Sequence, residues 1–138
     1  MTERDRELDQ VRELRPVLSA KAREELIDRG VSLFNAGRFY DCHDAWETVW
    51  RSTTPEPRDL WRGLIQVAVG FYHFRTRRRP DVAVRVLRKG AGRVRPFTPE
   101  TEGFDLESLL GTVEVWIACL EADEPTPDQD PVLNRRRP

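Results

Sequence analysis

The sequence predicts an all-α fold, a compact array of five to six helices around a buried central helix at about residues 58–75. Three observations carry this. Apolar residues recur at three- and four-residue spacings, and no stretch alternates with the period of two that a half-buried strand requires. The string LWRGLIQVAVGFYHF, Leu60 to Phe74, is apolar nearly all round, which places its helix in the middle of a bundle. A length of 138 residues and 16.1 kDa suits one domain with a core of its own.

The elements follow in order. Leu8, Val11, Leu14 and Leu18 mark an N-terminal helical segment over 1–18, which Pro16 should end or kink. Ser19 is placed to cap the next helix, with Ala22, Leu26, Leu33 and Phe34 facing inward and Gly37 closing it. A helix from about Phe39 to Arg51 carries an apolar stripe of Phe39, Cys42, Trp46 and Trp50. The stretch STTPEP, Ser52 to Pro57, is a turn by composition and leads into the central helix. Asp81 can cap a helix running to about Lys89 on Val82, Val86 and Leu87. Pro96 and Pro99 mark a loop, and Asp105 can cap a last helix through Leu106, Leu109, Leu110, Val113, Trp116, Ile117 and Leu120. Residues 19–122 thus read as a single all-α domain, and 123–138, rich in Pro, Asp and Arg, as a solvated tail.

Charge is uneven along the chain. Charged residues make up 34%, above the usual ~25%. Residues 61–100 hold ten basic and two acidic side chains, whereas 101–130 hold nine acidic and no basic ones. The two blocks can neutralise each other within the fold, so the basic one is not automatically a nucleic-acid surface. No apolar run approaches the ~20 residues of a membrane span, and no signal-peptide core opens the chain, so a membrane partner is not expected. Cys42 and Cys119 form no CxxC unit, which excludes a zinc ribbon or thioredoxin-like motif. Two cysteines in such a chain suggest reduced thiols and a cytoplasmic protein.

Polar residues inside apolar helices are the candidates for function. Arg62, Gln66, Gly70 and His73 are spaced by four, four and three, along one face of the central helix. The preceding helix offers His43 and Glu47 four apart, with Asp44 beside them. A short turn joins the two helices, so antiparallel packing should bring these faces together as a buried polar seam able to hold a small ligand. Arg62 would pair Glu47 there, since burial of either alone is unfavourable. Chemically, His43, Glu47 and His73 also make two imidazoles and a carboxylate, a set suited to a divalent metal with an open position for water. In that reading Glu47 is a general base and His43 a ligand or acid–base group of a hydrolase. The spacing is not that of HExxH, and three candidates are fewer than a closed structural site needs. A third reading uses Arg75, Arg77, Arg78 and Arg79 beside Phe71, Tyr72 and Phe74 to bind RNA or phosphate. Against it, the aromatics belong to the central helix, and cations at a helix C-terminus need no partner. The four Trp are expected in the core, with N–H groups that seek acceptors. A homo-oligomer is compatible with all three readings.

The string LFNAGRFYDCHDAWETVWR, followed by WRGLIQVAVGFYHF, resembles the family catalogued as domain of unknown function 309. The motif residues are Phe34, Asn35, Gly37, Phe39, His43, Asp44, Glu47 and Trp50, then Gly63, Leu64, Ile65 and Gln66, with His73 as the later histidine. The resemblance covers roughly residues 22–90. It implies a small, cytoplasmic, all-helical protein and supplies no reaction. The sequence departs from the family pattern at Arg78 to Ala83, where a Gly-Asn-x-x-Gly-Ala segment is usual.

Overall fold

In the computed structural model, which describes residues 15–136, five α-helices follow one another in an antiparallel array: α1 (Ala20–Asn35), α2 (Phe39–Arg51), α3 (Arg58–Arg75), α4 (Pro80–Val94) and α5 (Leu106–Glu121). The all-α expectation holds, and α3 spans the predicted central helix. The expected helical segment over 1–18 lies for the most part outside the described residues, and residues 15–18 are not helical.

Two of the five helices begin on a side-chain cap. The Ser19 hydroxyl accepts from Ala22 N–H at 3.0 Å, and Asp105 accepts from Ser108 N–H at 3.1 Å, so each satisfies a backbone donor that the first turn leaves unpaired. Gly37 takes φ +76° after α1, a conformation that needs no Cβ. Pro80 opens α4 with its ring in place of an N–H that has no partner there.

Around α3 the core is aromatic. Trp46, Trp61, Phe34, Phe71 and Phe104 are fully buried, and Phe71 and Phe74 of α3 meet Trp116 of α5 edge-on at 5.4 and 5.5 Å. Trp46 lies over Gly30, and its indole N–H donates to Ile27 O at 3.2 Å. Opposite α2, helix α4 crosses α3 at contact distance. A Cβ on Gly90 would stand 2.9 Å from Gly63 O, and one on Gly70 would stand 2.6 Å from Leu87 Cγ.

Four expectations need correction. Helix α4 starts at Pro80 and reaches Val94 rather than Lys89, because Gly90 sits at the crossing with Gly63 instead of ending the helix. Its inward face is Ala83, Leu87, Gly90, Ala91 and Val94, leaving Val82 and Val86 half-buried. In α1 the buried face is Ile27, Gly30 and Phe34, with Ala22, Leu26 and Leu33 at its margin, since Trp46 fills the space above Gly30. Within the predicted loop, Glu100–Thr101 (β1) and Phe104–Asp105 (β2) form a small antiparallel hairpin. Glu102 and Gly103, both at positive φ, make its two-residue turn.

The fourth correction is the tail. Leu133 is 1% exposed and packs into the core cluster, and the Arg135 side chain is 3% exposed. The Asn35 side-chain amide donates to Leu133 O at 3.0 Å and accepts from Leu133 N–H at 2.8 Å. Arg135 reaches Glu24 at 2.7 Å and Asp28 at 3.2 Å, and Phe104 pairs with Arg135 in a β-bridge. The segment around Leu133 and Arg135 is therefore a strap across α1 and the hairpin, reached through an exposed run at 121–125. The two charge blocks do meet. Arg88 pairs with Glu121, Arg95 with Glu114 at 3.3 Å, and Arg75 with Asp130.

Candidate functional site

The antiparallel pairing of α2 and α3 brings Trp46 beside Trp61 and Phe39 beside Phe71. Between these buried contacts and solvent the two helices leave a cleft of about 510 Å³. Glu47 and Trp50 line it from α2; Arg58, Asp59, Arg62, Ile65 and Gln66 line it from α3. Arg58, Arg62 and Gln66 are successive members of an i, i+4 stripe, so one wall is a ladder of polar groups.

Glu47, Arg62 and Gln66 thus share one space, as three of the six predicted site residues. The expected direct pair between Glu47 and Arg62 is not what forms. Glu47 is held by His43 Nε2 at 2.8 Å and faces Arg51 at 3.7 Å, both on its own helix. Arg62 is exposed and makes no ion pair among the described residues. The seam is therefore a half-open cleft, not a buried network, because a long arginine side chain reaches water more cheaply than it desolvates.

His43 stands behind Glu47 rather than in the cleft. Its Nδ1 lies 3.3 Å from Asp44 Oδ1 in poor alignment and has no hydrogen-bond partner. His73 is elsewhere. It sits seven residues beyond Gln66, roughly 10 Å up the helix axis. Tyr40 and Tyr72 stand between the two histidines, with ring centroids 5.5 Å from His43 to Tyr40, 5.3 Å between the tyrosines, and 5.7 Å from Tyr72 to His73. The metal trio of His43, Glu47 and His73 is thereby separated. Among the described residues no three His, Cys, Asp or Glu side chains are disposed to hold a metal ion. Burial lowers the His73 pKa from its usual 6.5, and the nearby Arg77, Arg79 and Arg85 lower it further. Gly70, the remaining member of the stripe, lies under Leu87 on the α4 side. Each four-residue step turns the helix face by about 40°, so the stripe drifts away from the cleft.

The aromatics beside the basic run make contacts within the fold. Phe71 is buried, Phe74 packs on Trp116, and Tyr72 faces Tyr40. Arg75 is engaged by Asp130, and Arg79 lies 3.5 Å from Asp81. Three of the four Trp are core, as expected; Trp50 is half-buried at the cleft, where the Arg58 guanidinium covers its ring at 4.9 Å. Only Trp46 among them has an acceptor for its N–H.

Sequence reasoning missed Arg58, Asp59 and Ile65. Arg58 precedes Arg62 by one turn, so extending the stripe backward would have found it. Asp59 and Ile65 carry no such signal, because they reach the cleft from its flanks.

Two unpaired polar atoms belong to this site. Five buried side-chain polar atoms among the described residues lack a partner, and two of them, Trp50 Nε1 and Gln66 Oε1, belong to residues lining the cleft. Buried groups of this kind are normally satisfied.

Fold and site together define a small all-α domain with a polar-walled cleft between two antiparallel helices. Residues 27–86 match the family model described as Domain of unknown function (DUF309), a span that contains every residue lining the cleft. The family is the one that the motifs resemble. No curated protein and no solved structure matches the chain. Among the described residues no helix is long and apolar enough to cross a membrane.

Proposed function

We propose that the protein is a binding domain that takes a small ligand in the cleft between α2 and α3. The observation that carries this reading is the pair of unsatisfied groups, the Trp50 indole N–H and the Gln66 amide oxygen, beside a cleft of about 510 Å³. Small-molecule sites fall in the range of ~300–1,000 Å³, with apolar walls and a few convergent polar groups. Trp50 and Ile65 supply the apolar wall here. An unpaired buried acceptor costs about 1–3 kcal/mol, and the terminal amide torsion of Gln66 is soft enough to turn toward a donor in the cleft. A cytoplasmic location belongs to the same proposal and is supported by the two cysteines, neither of them in a disulfide.

A fragment titration of ¹⁵N-labelled protein tests the reading. Ligands should move the Trp50 indole and Gln66 side-chain amide signals together, and Gln66→Leu should weaken them at least fivefold. Hits that cluster instead on the hairpin or around His73 would remove the cleft from consideration.

A further inference from the structure

We infer that the ligand of this cleft is a small organic acid, with its carboxylate or phosphate held between Arg58 and Arg62 and its apolar body against Trp50 and Ile65. This rests on the cleft being a binding site and adds the sign of the charge it selects.

The argument is one of charge accounting at the walls. Two carboxylates and two guanidinium groups line the cleft, which looks neutral. Both carboxylates, however, are already engaged by residues that do not line it. Glu47 lies 3.7 Å from the Arg51 guanidinium and 2.8 Å from His43 Nε2, while Asp59 faces Arg93 at 3.4 Å. The arginines are not matched in this way. Neither Arg62 nor Arg58 has an ion pair among the described residues, and the Arg58 guanidinium lies over the Trp50 ring at 4.9 Å. What the cleft offers an incoming molecule is therefore two uncompensated cations one helical turn apart. Guanidinium groups bind carboxylate and phosphate oxygens with paired N–H donors, and two of them at one mouth favour an anion over a neutral analogue.

Arg58 also lies over Trp50, its guanidinium carbon 4.9 Å from the ring centroid. A guanidinium lying over an indole face keeps its in-plane N–H groups free to donate at the ring's edge. An acid bound there meets the indole with its apolar part and the guanidinium with its oxygens. With its amide turned toward the cleft, Gln66 would accept through Oε1 from an N–H or O–H on the same molecule.

Benzoate, phenyl phosphate and neutral benzamide separate the possibilities when titrated against the full chain by ¹⁵N NMR. Benzoate or phenyl phosphate should shift the Trp50 indole signal with at least fivefold higher affinity than benzamide, and the affinity should fall as salt rises. The stronger of the two acids identifies a carboxylate or a phosphate site. Arg62→Gln should lose at least fivefold in acid affinity and Arg62→Lys less, with the melting curve unchanged because Arg62 makes no ion pair to lose. Arg77→Gln, two residues beyond the end of α3, should leave the acid affinity unchanged. Equal binding of benzamide at the same signals would overturn the inference while leaving the cleft as a binding site. Loss of affinity in Arg77→Gln as large as in Arg62→Gln would overturn it as well, by showing general charge attraction. If none of the three probes moves a cleft signal, the cleft reading itself fails.

Discussion

A carboxylate inside a helix pair can be a buried counter-ion or a solvated group, and the two have very different energies. Had Glu47 balanced a buried Arg62, truncation would cost about 3–5 kcal/mol. Its actual partners are His43 and Arg51 on the same helix, and its side chain is 34% exposed. Helical pairs of that kind contribute a few tenths of a kcal/mol, so Glu47→Ala should lower stability by less than about 1 kcal/mol in urea melts. A loss above about 2 kcal/mol would show that the cleft closes over Glu47 in solution. His73 is the second residue with a definite expectation. Its folded pKa is below 6.5, so the unfolded chain takes up the proton first, and stability falls as pH drops from 6.5 through the folded value. NMR titration should place the His73 pKa below 6.5, and Arg77→Gln should move it upward. A His73 that titrates at or above 6.5 contradicts the burial and the three arginines together. Burial likewise pushes the Cys42 thiol far up, so Cys42 should resist alkylation until the protein unfolds.

Helix packing sets the next scale, where glycine carries opposite consequences at different positions. Gly63 and Gly90 let α3 and α4 touch backbone to backbone. A Cβ at Gly63 would meet Arg93 Cβ and Val94 Cγ2 at 2.9 Å, and one at Gly90 would meet Gly63 O at the same distance. Backbone cannot swing aside as a side-chain tip can, so Gly63→Ala and Gly90→Ala should each cost about 1–3 kcal/mol. Gly92 and Gly111 also lie in helices, α4 and α5, but nothing stands within 4 Å of a Cβ there. Alanine at either should instead stabilise by about 0.5–1 kcal/mol, through the lower entropy of the unfolded chain. Thermal melts of the four variants should divide by sign; stabilisation by all four would mean that the α3–α4 crossing has room for a Cβ.

At the level of the whole molecule, the C-terminal strap joins the last residues to the first described helix. Leu133→Ala removes a buried side chain and should cost about 2–5 kcal/mol. Arg135→Ala removes a cation that Glu24, Asp28 and Glu102 share, while Glu102 keeps Arg23 at 3.4 Å. Because Glu24 is 40% exposed, water offsets part of that penalty, and a loss of about 2–3 kcal/mol is expected. Each kcal/mol corresponds to several degrees in Tm for a chain of this length. If both variants melt with the unaltered protein, the strap is an ornament on a domain that is stable without it.

What the sequence by itself determined was periodicity and its punctuation. The all-α class, the bounds of α2 and α3, and the Ser19 and Asp105 caps follow from side-chain spacing and from local hydrogen bonds, which reach no further than a turn of helix. The hairpin escaped because two residues per strand are too few to show an alternation. The strap escaped because Pro, Asp and Arg read as solvated until Asn35, Glu24 and Asp28 supply partners about a hundred residues away. For the cleft, the polar ladder of Arg62 and Gln66 was legible, as was its meeting with Glu47. Which charge each group keeps for itself was decided only by tertiary structure. A charged side chain turns to the nearest partner in space, and for Glu47 those are His43 and Arg51 on its own helix, which leaves Arg58 and Arg62 at the opening without an ion-pair partner among the described residues.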